Sequence, residues 1–403
     1  MNRITDLIAK YCPNGVYYKE LGNVAEVYTG EQFNKRDMEE VGLCPVINGG
    51  ILPSGYSDKY NETANTITVS QGGASAGYVN FIKVRFWLGA HCYAIKPKSY
   101  ILNNKFMYYC IKQQENKLMQ SQEGAGIPSL NRKKLNSILI PVPPLEVQQE
   151  VVKILDSFTS LEAELEAELE ARKKQYEHYR GELLSFAKKP EILEREQSWR
   201  ALWEVTVWDK RFNGVDKTMQ SRTIKYPYLL ADDLFALRQE SGNVCLLSTG
   251  EQAGWTTEEL AGDNICDGEV VTIPWGKSRP VAECMKYYKG KFVTADNRIA
   301  TSVDIKVLNN KFLYYWMKYN GKNIDKLYRG AGIQHPNMKS LLMMKVPVPP
   351  LSEQERIVAI LDKFDALVND ISIGLPAEIN ARRKQYEYYR DKLLTFPMVG
   401  SNA

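Results

Sequence analysis

The chain of 403 residues has only three histidines, His91, His178 and His335, and seven cysteines that never approach CxxC spacing. A histidine metal site, a zinc site and a disulfide framework all lack their ligand pattern, so the cysteines are expected as reduced, packed thiols. No apolar run approaches the ~20 residues that span a bilayer. The opening MNRITDLIAKYC has neither the apolar core nor the cleavage site of a signal peptide, which makes a cytoplasmic location the expectation, with no membrane partner. Catalytic motifs are missing too. The Pro-Pro pairs occur only in VPPL, so no [DN]PP[YF] motif for amino-methylation of a base is present. Asp296 with Asp304 and Lys306 could form a nuclease triplet, but the first half of the chain holds no counterpart, and such triplets arise often by chance.

What is present is ordinary in composition and unusual in order. The chain is 44% hydrophobic and 25% charged, long enough for two or three domains, and its net charge of +4 is only compatible with nucleic acid. LNNKFMYYCIK at 102–112 answers LNNKFLYYWMK at 308–318, GAGI at 124 answers GAGI at 330, and PVPPL at 141 answers PVPPL at 347. All three pairs share an offset of 206 residues (308 − 102, 330 − 124, 347 − 141). ARKKQYEHYR at 171–180 returns as ARRKQYEYYR at 381–390, an offset of 210, so the second copy has gained four residues between Asp362 and Ala381. VAEVYTG and WEVTVWD look like matching openings, whereas 45–90 and 220–290 do not align convincingly. A duplicated unit of this length dictates architecture.

The tail of each unit reads as a long helix. Pro143 and Pro144 favour an extended entry, and from Leu145 the chain is free of proline to residue 189. Leu155, Phe158, Leu161, Leu165, Leu169, Tyr176, Tyr179, Leu183 and Phe186 lie along it, and from Phe158 onward, with Arg172 filling one gap, the spacing averages 3.5, that of a coiled-coil seam. In the second copy Leu351, Leu361, Phe364, Leu367, Ile371, Tyr386, Tyr389, Leu393 and Phe396 supply the stripe, and Ser352 with Glu355 forms a candidate capping box. Gly374 and Pro376 interrupt it, which predicts a break there with Pro376 starting a second helical segment. The two tails are expected to bury their seams against each other as an antiparallel pair, with a globular domain at each end; the alternative is that each folds back on its own domain. Each domain reads as mixed α/β: NTITVSQG, GYVNF and WLGAHCYAI as strands, NNKFMYYCIKQQENKLM as an amphipathic helix and NSILIPV as a closing strand.

Three loops are candidates for recognition. SQGGASAG at 70–77 lacks the endings of a phosphate loop or dinucleotide site; it is a tight turn or a place where Ser70, Gln71 and Ser75 approach a ligand. Its counterpart IPWGKSR at 273–279 sets Trp275, Lys277, Ser278 and Arg279 around a glycine, a mixture suited to stacking, phosphate attraction and base-edge contacts, or to an exposed turn. EQFNKRD at 31–37 offers Gln32, Asn34, Lys35 and Arg36 as a polar reading loop or a solvated one. The paired GAG loops present backbone N–H groups to a phosphate, or simply terminate helices.

PVPPLEVQQEVVKILDSF and PVPPLSEQERIVAILDKFDAL, together with ARKKQYEHYRGELLSF and ARRKQYEYYRDKLLTF, resemble the conserved regions of the specificity subunit of Type I restriction-modification systems. The resemblance covers nearly the whole chain in organisation. It implies an α+β fold with two mixed α/β target-recognition domains separated by an antiparallel two-helix coiled coil. It divides the chain into a first recognition domain with an N-terminal helix (1–142), a central helical region (143–187), a second recognition domain (188–348), a C-terminal helical region (349–397) and a tail (398–403). It further implies a non-catalytic, sequence-specific subunit that reads a bipartite target in double-stranded DNA and docks two modification subunits on its helical pair. S-adenosylmethionine, ATP and Mg would then belong to the modification and restriction subunits, and this chain would bind no cofactor or metal. A stand-alone tandem-domain nuclease or DNA methyltransferase, or a coiled-coil protein adaptor, are the competing readings.

Overall fold

The structure, a computed structural model, describes residues 2–98, 101–123, 128–186, 199–249, 254–370 and 372–400. The GAGI motif at 124–127 and Ile371 lie outside the described residues. By contacts the chain divides into two compact units, Met1–Ala167 with Ala377–Ala403, and Glu168–Pro376. Each unit therefore holds one globular part and a share of both helical regions.

In the first unit a four-stranded antiparallel sheet runs in the order Ala25–Thr29, Cys92–Pro97, Thr66–Ser70, Val79–Ile82. Beside it a small sheet pairs Cys44–Ile47 with Gly55–Ser57 on one edge and, in parallel, with Trp87–Leu88 on the other. The second unit repeats the four-strand order as Thr206–Trp208, Asn297–Ser302, Cys266–Pro274 and Lys286–Thr294. Here the outer strand stays unbroken for nine residues, so Val244–Leu247 and Gly254–Thr256 join the same sheet and make six strands. The middles that could not be aligned as sequence thus share one topology, because alternation of buried and exposed positions constrains a strand far more loosely than it constrains residue identity.

The duplicated words are a joint between globular part and helix, built twice. Asn103 caps the helix Asn104–Gln113, its side chain accepting from the N–H groups of Lys105 and Phe106; Asn309 does the same for Lys311 and Phe312 at the helix Asn310–Tyr319. Such a cap contributes about 1 kcal/mol. The next lysine pairs with an aspartate of the long helix, Lys105 with Asp156 and Lys311 with Asp362, each at 2.7 Å. The tyrosine one turn further donates to the same carboxylate, Tyr109 at 2.5 Å and Tyr315 at 2.6 Å. Gln148 completes the joint from a fully buried position: its Oε1 accepts from the Asn103 N–H at 2.7 Å, and its Nε2 donates to the carbonyls of Ile101 and Pro143 at 2.8 and 2.7 Å. Gln354, equally buried, repeats all three bonds with Asn309, Val307 and Pro349 at 2.8 Å each. Buried amides are tolerated because every polar atom finds a partner.

The first helical region is one helix, Leu145–Leu184. The second is two, Leu351–Asn369 and Leu375–Leu394, with Pro376 in the opening turn of the second, as its spacing predicts. The bend seats Gly374 where a Cβ would come within 2.4 Å of the Ala366 carbonyl oxygen. The expected capping box is not formed. The helix begins at Leu351 with Pro350 in the capping position, and the carboxylate that engages locally is Glu353, which holds Arg356 through two 2.7 Å bonds.

Within the first unit the tails pair antiparallel: Phe158 stacks on Tyr389 with ring centroids 5.5 Å apart, and Arg383 reaches Glu162 and Glu166. Within the second, Tyr176 and Tyr179 both stack on Phe364, at 6.0 and 5.5 Å. Leu155, Leu361 and Tyr176 are buried, and Phe158, Leu161, Leu165, Leu169, Leu351, Phe364, Tyr386 and Tyr389 are partly covered. Leu145 and Leu367 depart from the expected seam by remaining exposed, and Tyr179 keeps its seam contact with Phe364 while its outer edge stays open, since a two-helix layer shields only a narrow stripe. The first unit is closed by the end of the chain, where the Tyr18 hydroxyl donates to the Phe396 carbonyl at 2.9 Å and Val16 N–H donates to the Pro397 carbonyl at 2.8 Å. All seven cysteines are free and buried; burial pushes the Cys92 thiol up to about 12, so it stays protonated at neutral pH.

Candidate nucleic-acid interface

In the first unit three loops meet around the segment Gly89–His91. The loop at 31–37 starts from the backbone bonds of Gly30 N–H to Gly89 and Glu31 N–H to Leu88, at 3.3 and 3.0 Å. The loop 48–54 closes the hairpin between Cys44–Ile47 and Gly55–Ser57, and Asn48 Oδ1 accepts from the His91 N–H at 3.3 Å. The glycine-rich turn joins through Gln71 N–H to the His91 carbonyl at 3.0 Å. Gln32, Asn34, Lys35 and Arg36 are exposed on the first loop, with Phe33 beneath them packed edge-on against Trp87 at 4.9 Å.

Ser70 is a correction. It is 3% exposed and its hydroxyl donates to the Gly49 carbonyl, which Ser75 also reaches at 2.7 Å. The two serines clamp the 48–54 loop to the glycine-rich turn, because a hydroxyl at the buried end of a strand must find an acceptor there. Gln71 is half-buried, with its carbonyl accepting from the Leu130 N–H at 2.7 Å.

In the second unit the two motifs singled out in the sequence are zipped together. Lys277 exchanges backbone bonds with Gln334, N–H to carbonyl at 3.0 and 3.1 Å, so the PWGKSR turn lies against the hairpin formed by Tyr328–Arg329 and His335–Pro336. Trp275 is half-buried, with the Arg298 guanidinium 3.8 Å from its ring centroid and the His335 ring 4.8 Å away. Arg298 also pairs with Asp296, which holds Lys210 at 2.8 Å, and Lys210 sits 4.6 Å from the exposed ring of Tyr228. That takes Asp296 out of any nuclease triplet: its carboxylate serves two cations, which hold its pKa below the usual range against the opposing effect of burial, and Asp304 accepts instead from the Lys306 N–H of its own turn.

Lys277 is the second correction. It is 9% exposed, its ammonium lies 2.6 Å from Asp325 and 5.0 Å from the Tyr328 ring centroid, and it braces the hairpin rather than facing solvent. Ser278 and Arg279, the next two residues, are exposed. Sequence reasoning missed His91, Arg298, Lys210 and His335. Their signal lies only in the fold, which sets His91 beside Asn48, Arg298 and His335 beside Trp275, and Lys210 beside Asp296.

Among the described residues no group of three His, Cys, Asp or Glu side chains is placed to hold a metal ion, and no helix is long and apolar enough to cross a membrane. Paired loop-bearing α+β units, each locked to a helix by the same joint and fringed with arginine, lysine, asparagine and aromatic side chains, define a nucleic-acid recognition protein of duplicated design. The sequence matches the model of the Type I restriction modification DNA specificity domain over residues 13–171 and again over 231–381. The chain belongs to the specificity-subunit family of Type I restriction-modification systems, whose members recognise DNA and carry no catalysis of their own. It is 33% identical over 317 residues to the Type I restriction enzyme EcoR124I/EcoR124II specificity subunit of Escherichia coli, covering 73% of this chain and 71% of that one. A type I restriction enzyme specificity subunit of Haemophilus influenzae is 29% identical over 414 residues, covering 94% and 96%. The fold is similar to the crystal structure of the S subunit of a Type-I restriction-modification system from M. genitalium, with a TM-score of 0.64 at 20% identity, covering 94% of this chain and 96% of that one.

Proposed function

We propose that each unit reads one half of a bipartite double-stranded DNA target, the first through the loops gathered around His91 and the second through the turn and hairpin joined at Lys277 and Gln334. The observation that carries this is the repeated joint, in which Gln148, Asp156 and Asn103 correspond bond for bond to Gln354, Asp362 and Asn309. A scaffold repeated to that detail under divergent loops is the arrangement a protein needs to hold two different reading surfaces in the same way.

In this reading the exposed strips of the helical pair, where Tyr179, Leu367 and Tyr388 lie open, dock two modification subunits. S-adenosylmethionine is carried by those subunits, and ATP and Mg by the restriction subunits that join them. The complex works in the cytoplasm. The test is to express the chain with its modification subunits in cells lacking other methyltransferases and map the methylated adenines. A two-part motif with a fixed spacer is expected. Grafting a related chain's residues 202–342 in place of these should exchange one half of the motif and leave the other. A change in both halves, or in neither, rejects the assignment of one half to each unit.

A further inference from the structure

The hairpin of the second unit ends in Gly330-Ala331-Gly332-Ile333, and Ile333 is 65% exposed. An aliphatic tip would be unremarkable on a loose loop, but this one is braced on both flanks. The Tyr328 hydroxyl donates to the Pro274 carbonyl at 2.8 Å, Gln334 is bonded both ways to Lys277, and His335 Nδ1 donates to the Trp275 carbonyl at 2.9 Å. Two glycines make the tip possible. A Cβ on Gly276 would fall 2.6 Å from Ile333 Cγ2, and Gly330, at φ +136°, would drive a Cβ to 2.7 Å from the Ile333 carbonyl oxygen. The molecule thus holds a large apolar side chain in water on a stiff support. On the same hairpin Arg329 and His335 are exposed, as is Arg279 on the turn bonded to it, and the sequence from Lys326 to Lys339 contains no Asp or Glu.

A rigid apolar tip in a cationic rim is the combination that parts base steps from the minor groove: the rim holds phosphates while the tip replaces stacking lost between two base pairs. We propose that Ile333 is a wedge that enters the minor groove of the half-site read by this unit and unstacks one base step, with Arg329 and Arg279 on the flanking phosphates. Pyrimidine–purine steps unstack most readily, so the wedge reads its position through deformability and needs no hydrogen bond to a base edge. This inference rests on the DNA-reading role proposed above for the second unit.

The test uses the complex with its modification subunits, without S-adenosylmethionine, on duplexes carrying 2-aminopurine at successive positions of the target other than the methylated adenine. With the wild-type chain one position is expected to brighten. Ile333→Ala should abolish that signal and weaken target binding on the order of tenfold, while the slope of log affinity against log salt stays unchanged. Ile333→Leu should restore both, and Arg329→Ala should lower the salt slope by about one. Wild-type brightness and affinity in Ile333→Ala overturn the wedge and leave the DNA reading intact. A lowered unfolding midpoint in that variant overturns it as well, by giving Ile333 a structural role. A wild-type complex with no preference for its target over a scrambled duplex overturns the DNA reading itself and the wedge with it.

Discussion

Lys277 and Asp325 form an ion pair of 2.6 Å in which the lysine side chain is only 8% exposed and the aspartate 27%. The same carboxylate accepts the Val281 N–H at 2.9 Å, so one pair fixes both the PWGKSR turn and the start of the following segment. Lys277→Ala leaves Asp325 half-buried without its counter-ion. It should destabilise the second unit by about 2 kcal/mol, visible in denaturant unfolding, before any effect on DNA is asked about.

The exposed Arg279, by contrast, should matter more to DNA than to folding: Arg279→Ala should weaken target binding of the assembled complex, reduce the salt slope by about one, and shift unfolding less than Lys277→Ala does. Equal loss of stability in the two variants would mean that this turn is scaffold throughout.

Gln148→Leu and Gln354→Leu each remove three hydrogen bonds from a dry joint and strand the acceptors and donor that made them. Each should cost about 3 kcal/mol in its own unit. Because the two share no partner, the double variant should lose the sum in urea titrations resolved by unit. A loss under 1 kcal/mol in either would show that water replaces the amide.

Burial, with a smaller push from Arg279, pulls the Lys286 ammonium down to about 8, while the same group in an unfolded chain titrates near 10.4. Below pH 8 both states are charged and the folded state bears the full desolvation cost. Between about 8 and 10 the unfolded chain binds more protons, so stability rises with pH. Lys286→Met should abolish that rise when urea midpoints are compared from pH 7 to 10; parallel curves for the two proteins would refute it.

Phe158 against Tyr389 and Glu162 against Arg383 set residues 160–166 opposite 380–386. Deleting both stretches removes two turns from each helix, about 10 Å at 1.5 Å per residue. Methylome mapping should then return the same half-sites with a spacer shorter by about 3 base pairs, DNA rising 3.4 Å per pair. The original spacer would count against helix length as its determinant.

The order of the fold was legible because repeats and helical spacing are local signals. The 206-residue offset marks the joint, the seam from Phe158 marks the long helix, and Gly374-Leu375-Pro376 marks the break in the second helical region. The site was less legible, for a physical reason. Lys277 in PWGKSR reads as a surface cation because nothing in the sequence shows that Asp325, 48 residues on, will meet it. Ser70 ends a strand and, as a small polar residue, looks available until Gly49 turns its carbonyl toward it. A helix pattern assigns Gln148 and Gln354 to the wet face, and only the carbonyls of Ile101 and Val307 explain their burial. Ser352 and Glu355 had the right spacing for a capping box, but Pro350 starts the helix without one.

The first unit draws its residues from both ends of the chain, whereas the second is contiguous from Glu168 to Pro376. On the ribosome the earlier segment must wait for Ala377 onward, 210 residues after Ala167 (377 − 167), before Phe396 can meet Tyr18. At ~5–20 residues per second that delay is about 10–40 s, during which the half-built lobe exposes the apolar faces its closing helix will cover. The unit begun first is the one finished last.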